Sequence, residues 1–203
     1  MDVIVPVKPL GAAKSRLRGA VDGGLGGPAA HARLALALLH DTVGAVRAAR
    51  RVRRLLVVSS DPVVAAELAA VGVEVVPDSA DAGQNPAYEL AARLLRRDDP
   101  RCAVGALPAD LPALRPDELD AAVTAAVIEF ATGAARRAFV GDAGGAGTTF
   151  LIAAPGVPLQ PHFGIGSAAA HRASAARELL GSWPGLQRDV DTADDLRRAG
   201  ELG

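Results

Sequence analysis

The residues best suited to chemistry are carboxylates placed just after apolar runs. Asp110 lies in Leu107-Pro108-Ala109-Asp110-Leu111-Pro112-Ala113-Leu114, between two prolines that stiffen the turn around it. A carboxylate held rigidly beyond a strand end suits Mg²⁺, which takes one or two carboxylates together with phosphate oxygens and water. The alternative is an N-cap for a following turn, but Pro116 is better placed to start the next helix. A second acidic group is Asp189-Val190-Asp191-Thr192-Ala193-Asp194-Asp195. Alternate positions of an extended chain share a face, so Asp189 and Asp191 point the same way. Two close carboxylates repel unless a cation lies beside them. Asp191 or Thr192 equally suits the cap of a final helix, with Asp194 and Asp195 in its first turn. Both roles can hold at once, one Asp on a metal and another residue capping.

Basic groups stand at the opposite end of the chain. The first apolar run, Val3 to Val7, leads into Lys8-Pro9-Leu10-Gly11-Ala12-Ala13-Lys14-Ser15-Arg16-Leu17. Such a loop offers ammonium groups and backbone N–H groups to a triphosphate, although it lacks the Gly-x-x-x-x-Gly-Lys pattern of a Walker loop. A basic surface loop is the plainer account. Gly141 to Thr149 is rich in glycine and ends in Thr148 and Thr149, which suits either an anion or a hairpin turn, the turn being the better account of a glycine run by itself. Ser167 is placed to cap a helix that begins at Ala168, whose N-terminus attracts an anion. Asn85 has the paired donor and acceptor that read a purine edge, and it is also placed to cap a helix before Pro86. His162 and His171 invite an acid–base reading. A supporting or surface role fits them better, because attack by a phosphate on a phosphate needs no strong base.

The elements that must position these groups alternate between strand and helix. Strands are expected at Val3 to Val7, Leu55 to Val58, Val73 to Val76, Cys102 to Leu107, Ala138 to Gly141 and Phe150 to Ala154, with a short strand end at Asp189 to Asp191. Helices are expected from about Pro28 to Ala49, Val63 to Ala70, Asn85 to Arg97, Pro116 to Ala131, Ala168 to Leu180 and Asp194 to Ala199. Ser60 or Asp61 caps the second of these, with Pro62 in its first turn. The alternation implies an α/β protein of three α/β/α layers around a mostly parallel sheet. In such sheets ligands bind beyond the carboxyl ends of the strands, where these candidate residues fall. No internal repeat or linker divides the 203 residues, so one domain spanning 1–203 is expected.

Composition removes several function classes. The chain balances 22 basic against 23 acidic residues, without the basic excess of a duplex-binding protein, and nucleic acid is disfavoured as a partner. The run Arg47, Arg50, Arg51, Arg53, Arg54 reads as a solvated helix end. No uncharged apolar stretch is long enough to cross a membrane. One cysteine, Cys102, allows no internal disulfide, and with no signal-peptide pattern a cytoplasmic location is expected. Oligomeric state is open, a homodimer among the options.

Taken in order, the motifs resemble a known family. Val5-Pro6-Val7-Lys8-Pro9-Leu10 with Ala13-Lys14-Ser15-Arg16-Leu17, then Ala109-Asp110-Leu111-Pro112-Ala113-Leu114, Gly147-Thr148, Phe163-Gly164 with Ser167, and Asp189-Val190-Asp191-Thr192 are similar to the guanylyltransferases of deazaflavin (coenzyme F-420) biosynthesis. These act on 2-phospho-L-lactate or phosphoenolpyruvate, and the resemblance covers nearly the whole chain. It implies a nucleotide-diphospho-sugar transferase-like, MobA-like fold, GTP and a phosphorylated three-carbon acid as substrates, Mg²⁺ as cofactor and diphosphate as product. It implies that Thr148, Gly164 and Ser167 hold the acid, that Asp110 and Asp191, with Asp189, hold metal, and that Lys8, Lys14 and Arg16 meet the nucleotide phosphates, with Asn85 near the guanine. Lys14, Asp110 and Asp191 are then the catalytic set. Two positions depart from the family's usual pattern: Ala109 where it has Gly, and Gln84 where it has Leu before the Asn. The rival readings are a cytidylyl- or molybdenum-cofactor-type nucleotidyltransferase and a non-catalytic nucleotide-binding module.

Overall fold

A computed structural model describes residues 1–11, 17, 19–20, 23–24, 26–78 and 83–202. The elements run β1 (Asp2–Pro6), α1 (Pro28–Ala48), β2 (Arg54–Val58), α2 (Pro62–Ala70), β3 (Glu74–Val76), α3 (Gln84–Asp98), β4 (Val104–Ala106), α4 (Pro116–Ala131), β5 (Arg137–Gly141), β6 (Thr148–Ala153), α5 (Ser167–Ala173), β7 (Arg177–Glu178) and α6 (Ala193–Gly200). The starts of the longer helices follow local chemistry. Proline opens α1, α2 and α4, where its fixed φ is helical and its missing N–H is not needed. Asp61 caps α2 by accepting from the Val63 N–H, and Gly72 ends that helix's turn with φ +73°.

The strands form a seven-stranded sheet in the order β3-β2-β1-β4-β6-β5-β7. β6 runs antiparallel to both β4 and β5, and the other pairings are parallel. Side chains alternate between two apolar layers. Val3 and Val5 of β1, with Phe150 and Ile152 of β6, pack against α1, α2 and α4. Ile4, Leu151 and Phe139 pack on the other face against Tyr88, Ala91 and Leu95 of α3 and Ala168 of α5. This is the three-layer α/β/α arrangement expected from the alternating pattern. A third, smaller cluster joins Leu38 of α1 to Ala113, Val190 and Ala199 of α6.

Two expectations are corrected. The helix expected from Ala168 to Leu180 stops at Ala173, and the chain turns through Ala175 with φ +63°. Arg177–Glu178 then pairs with the outer edge of β5, and the Leu179 N–H donates to the Phe139 carbonyl at 2.8 Å. Unpaired backbone at a sheet edge, together with burial of Ala176 and Leu179, outweighs continued helix there. Asp189 to Asp191 joins no strand ladder; it meets the loop that follows β4 through the Val190 N–H, which donates to the Asp110 carbonyl.

Candidate active site

Side chains place the Asp110 turn before its carboxylate does anything. Leu107 and Leu111 on either side are fully buried in the α1/α4 layer, and they pull the turn down onto the sheet. The Leu111 N–H donates to the Thr42 hydroxyl at 2.9 Å, and that hydroxyl donates to the Leu38 carbonyl. A threonine inside α1 thus satisfies a backbone group that the turn would otherwise bury unpaired. The returning segment is fixed in the same way. Val190 is fully buried in the third cluster, and its N–H donates to the Asp110 carbonyl at 3.0 Å. Because successive side chains of an extended chain oppose one another, burying Val190 turns Asp189 and Asp191 the other way. One carboxylate oxygen from each of Asp110, Asp189 and Asp191 lies within 4.8 Å of the other two.

That cluster fits a hard divalent cation. Oxygens bound to one Mg²⁺ at about 2.1 Å stand at most about 4.2 Å apart, so small side-chain adjustments close the group on an ion. The capping role falls to neighbours. Thr192 accepts from the Asp195 N–H, and Asp195 accepts from the Thr192 N–H at 2.9 Å, closing a capping box on α6. Burial opposes the charge on Asp195, but hydrogen bonds from the Thr192 side chain and backbone and from the Asp191 N–H outweigh it and lower its pKa. The acidic run therefore divides its labour, with Asp189 and Asp191 facing Asp110 while Thr192 and Asp195 hold the helix.

The loop after β1 leaves the sheet where strand order changes direction, between β2 on one side and β4 on the other. The Val7 N–H extends the β2 ladder to Val58, and Leu10 donates to the second carboxylate oxygen of Asp61 at 2.8 Å. Asp61 thus caps α2 and anchors this loop at once. Lys8 is exposed on it. Lys14 and Arg16 lie outside the described residues.

Thr148, Gly164 and Ser167 gather at the same edge of the sheet. Thr148 begins β6, and because β6 is reversed its start lies at the carboxyl ends of β4 and β5. Its hydroxyl meets Nδ1 of His171 at 2.9 Å, while Nε2 of His171 accepts the His162 N–H at 2.9 Å. Ser167 opens α5, with its N–H donating to the Gly164 carbonyl at 3.1 Å. Gly166, in the left-handed region at φ +72°, and not Ser167, is the N-cap. Gly164 has φ +130°, which only glycine adopts without strain. His171 is fully buried, and its pKa is pushed down to about 4 by burial and by nearby His162, against a backbone hydrogen bond at Ser167. It is therefore neutral, a hydrogen-bonding group and not a general acid.

Asn85 is placed differently from either expectation. Gly83 is the N-cap of α3, without a side-chain cap, and Asn85 sits inside the first turn. Its amide nitrogen donates to the Phe163 carbonyl at 3.0 Å, and its amide oxygen accepts the Phe163 N–H at 2.8 Å. Both functions of the amide clamp the residue before Gly164, so Asn85 belongs with the Thr148 group. The glycine-rich segment between β5 and β6 is the hairpin turn. Asp142 accepts the Ala146 N–H at 2.9 Å, and a Cβ on Gly147 would lie 2.4 Å from the Asp142 carboxylate. The Ala143 N–H donates to the Gln187 carbonyl at 2.7 Å, tying this turn to the segment that carries Asp189. The supporting roles of Thr42 and Asp61 have no signature in the sequence beyond a polar residue in an apolar stripe and a cap.

The profile of the MobA-like NTP transferase domain matches residues 31–188. The chain is 52% identical over 201 residues to the phosphoenolpyruvate guanylyltransferase of Salinispora arenicola, covering 99% of this chain and 88% of that one. It is also 52% identical, with the same coverage, to the phosphoenolpyruvate guanylyltransferase of Geodermatophilus obscurus. In fold it is similar to a Desulfovibrio desulfuricans G20 protein assigned as a nucleotide-diphospho-sugar transferase, with TM-score 0.68, 17% identity, and 97% of this chain and 85% of that chain covered.

Proposed function

From the premise that this chain belongs to the MobA-like NTP transferases, within their phosphoenolpyruvate guanylyltransferase family, we propose that it transfers the guanylyl group of GTP to the phosphate of phosphoenolpyruvate, or of 2-phospho-L-lactate, in coenzyme F-420 biosynthesis. A phosphate oxygen of the acid attacks the α-phosphorus of GTP in line. The new O–P bond forms as the bond to the α,β-bridging oxygen breaks, and diphosphate leaves. The attacking oxygen is already anionic, so no base is needed. The difficulty is bringing two polyanions together, and catalysis is positioning plus charge compensation.

The observation that carries this reading is the gathering of Asp110, Asp189 and Asp191 within 4.8 Å at the carboxyl edge of the sheet, beside the loop after β1. Asp110, Asp189 and Asp191 would hold Mg²⁺, which supplies charge neutralisation at phosphate oxygens when bound. Lys8, with Lys14 and Arg16 of the same stretch of sequence, would offset charge on the departing diphosphate. Thr148, Gly164 and Ser167 present a hydroxyl, an open backbone and the start of α5 to the carboxylate and phosphate of the acid. Asn85 acts by holding the Gly164 loop and not by reading guanine. Residues 1–203 serve as one nucleotidyltransferase domain. The substrates place the reaction in the cytoplasm, and among the described residues no helix is long and apolar enough to cross a membrane.

Incubation with GTP, Mg²⁺ and phosphoenolpyruvate, 2-phospholactate or 3-phosphoglycerate in turn tests the reading, with diphosphate release and product mass as readouts. Diphosphate is expected with GTP and one of the acids. Equal release from CTP would support the cytidylyl-type rival, and GTP binding without turnover on every acid would support the non-catalytic module.

A further inference from the structure

His171 is a buried group that links the parts of the proposed acid pocket. Through Nδ1 it meets the hydroxyl of Thr148 on β6, and through Nε2 it holds the backbone of His162, two residues before Gly164. It stands on α5, four positions after Ser167. The Phe163 ring packs edge-on against it at 5.4 Å between centroids, and that ring is stacked on Tyr88 of α3 at 4.5 Å. Phe139 of β5 closes another side at 5.6 Å.

The hydrogen-bond pattern fixes the tautomer. A backbone N–H can only donate, so Nε2 must be the unprotonated acceptor and the ring proton sits on Nδ1. Nδ1–H then faces the Thr148 hydroxyl and the Ser167 backbone, and a protonated Nδ1 cannot accept from that hydroxyl, which keeps its own proton to give away. A hydroxyl with its proton unspent suits an anionic oxygen. The charged groups around the ring reinforce this. Arg137 and His162 both disfavour a positive charge on it, as does its burial, and the ring stays neutral and directional.

We propose that His171 is a positioning residue for the phosphorylated acid: it commits the Thr148 hydroxyl to donate to a carboxylate or phosphate oxygen and sets the height of the Gly164 loop over it. This rests on the reading that Thr148 and Gly164 hold the acid, and the test separates the two. Thr148→Val, His171→Phe and His171→Asn are compared by steady-state kinetics with each substrate varied in turn. Asparagine places an amide donor near the position of Nδ1 while giving up the acceptor at Nε2.

Thr148→Val and His171→Phe should each raise KM for the acid roughly tenfold or more, the loss of one hydrogen bond to a charged group, with KM for GTP unchanged. His171→Asn should return the acid KM to within about threefold of the parent. Thr148→Val with His171→Phe should be little worse than either alone, because both remove the same donor. If Thr148→Val raises the acid KM and His171→Phe does not, the inference about His171 is overturned alone. If Thr148→Val leaves the acid KM unchanged, the assignment of Thr148 fails, and this inference with it. Should the Phe variant not fold, His171→Gln, which keeps an acceptor for His162 and withdraws the donor, must show the same acid-specific rise; an equal rise for GTP and acid would mark a purely structural role.

Discussion

Asp110 is buried, yet it lies within reach of two other carboxylates, an arrangement that charge alone disfavours. The proposed metal role gives that arrangement a use. Asp110→Asn keeps the shape and removes the charge. The expected outcome is a loss on the order of 10² to 10³ in kcat with GTP and acid saturating, measured as diphosphate release, without a matching fall in thermal stability. His171 makes a different prediction, about stability. Its folded pKa of about 4 lies below the ordinary histidine value of 6.5, so the unfolded chain binds more protons between these limits. Stability from this group is full above pH 6.5 and is lost as pH falls toward 4. Between pH 7 and 5 the parent should lose on the order of 2 kcal/mol that His171→Asn does not lose, read from urea midpoints at the two values.

Among elements, the joints between helices and loops carry the site. Glu118, in the first turn of α4, accepts the N–H groups of Gly185 and Leu186, both at 3.1 Å, as well as the Arg115 N–H at its own helix start. It thereby fixes the stretch that leads to Asp189. Gly185 approaches so closely that an added Cβ would stand 1.9 Å from the Ala113 carbonyl oxygen, so this contact tolerates no side chain. Glu118→Ala leaves two buried N–H groups unpaired and should cost about 2–4 kcal/mol in urea unfolding. Glu118→Gln, which keeps an acceptor oxygen, should recover part of that. The Asp61 joint differs because it anchors the loop after β1, the loop proposed to meet the nucleotide. Asp61→Ala removes the cap of α2 and the Leu10 anchor together. About 1 kcal/mol of stability should go, with a rise in KM for GTP and not for the acid.

The molecule as a whole resolves a problem of reach. The residues of the candidate site come from chain segments far apart in sequence, and the sheet brings their ends to one edge. Reversal of β6 sends Thr148 to the same side as the Asp110 turn, and α6 packs on α1 so that Asp189 and Asp191 return to it. A cation held as proposed would tie the C-terminal segment to the centre of the sheet. Mg²⁺ at about 100 times its Kd should then stabilise the fold by about 2.7 kcal/mol, or several degrees in Tm, by mass action. Thermal melts with Mg²⁺ and with EDTA should show that shift in the parent chain and lose it in Asp191→Asn.

The amino-acid sequence alone determined the parts with local causes. Alternating apolar runs set the strands and helices, Pro28, Pro62 and Pro116 set three helix starts, and Asp110, Asp189 and Asp191 were legible as a candidate carboxylate group because carboxylates follow apolar runs or alternate around a buried valine. Tertiary packing decided the rest. Whether Asp191 or Thr192 capped α6 depended on which side chains Val190 turned outward as it entered the third cluster. The end of α5 was set by an open strand edge. The clamp of Asn85 on Phe163, 78 residues away, and the bond from Leu111 to Thr42, 69 residues away, have no trace in either neighbourhood. Short-range periodicity and capping act through neighbours along the chain and are written there. A hydrogen-bond partner across the fold is chosen only when the layers close and leave one polar group facing another.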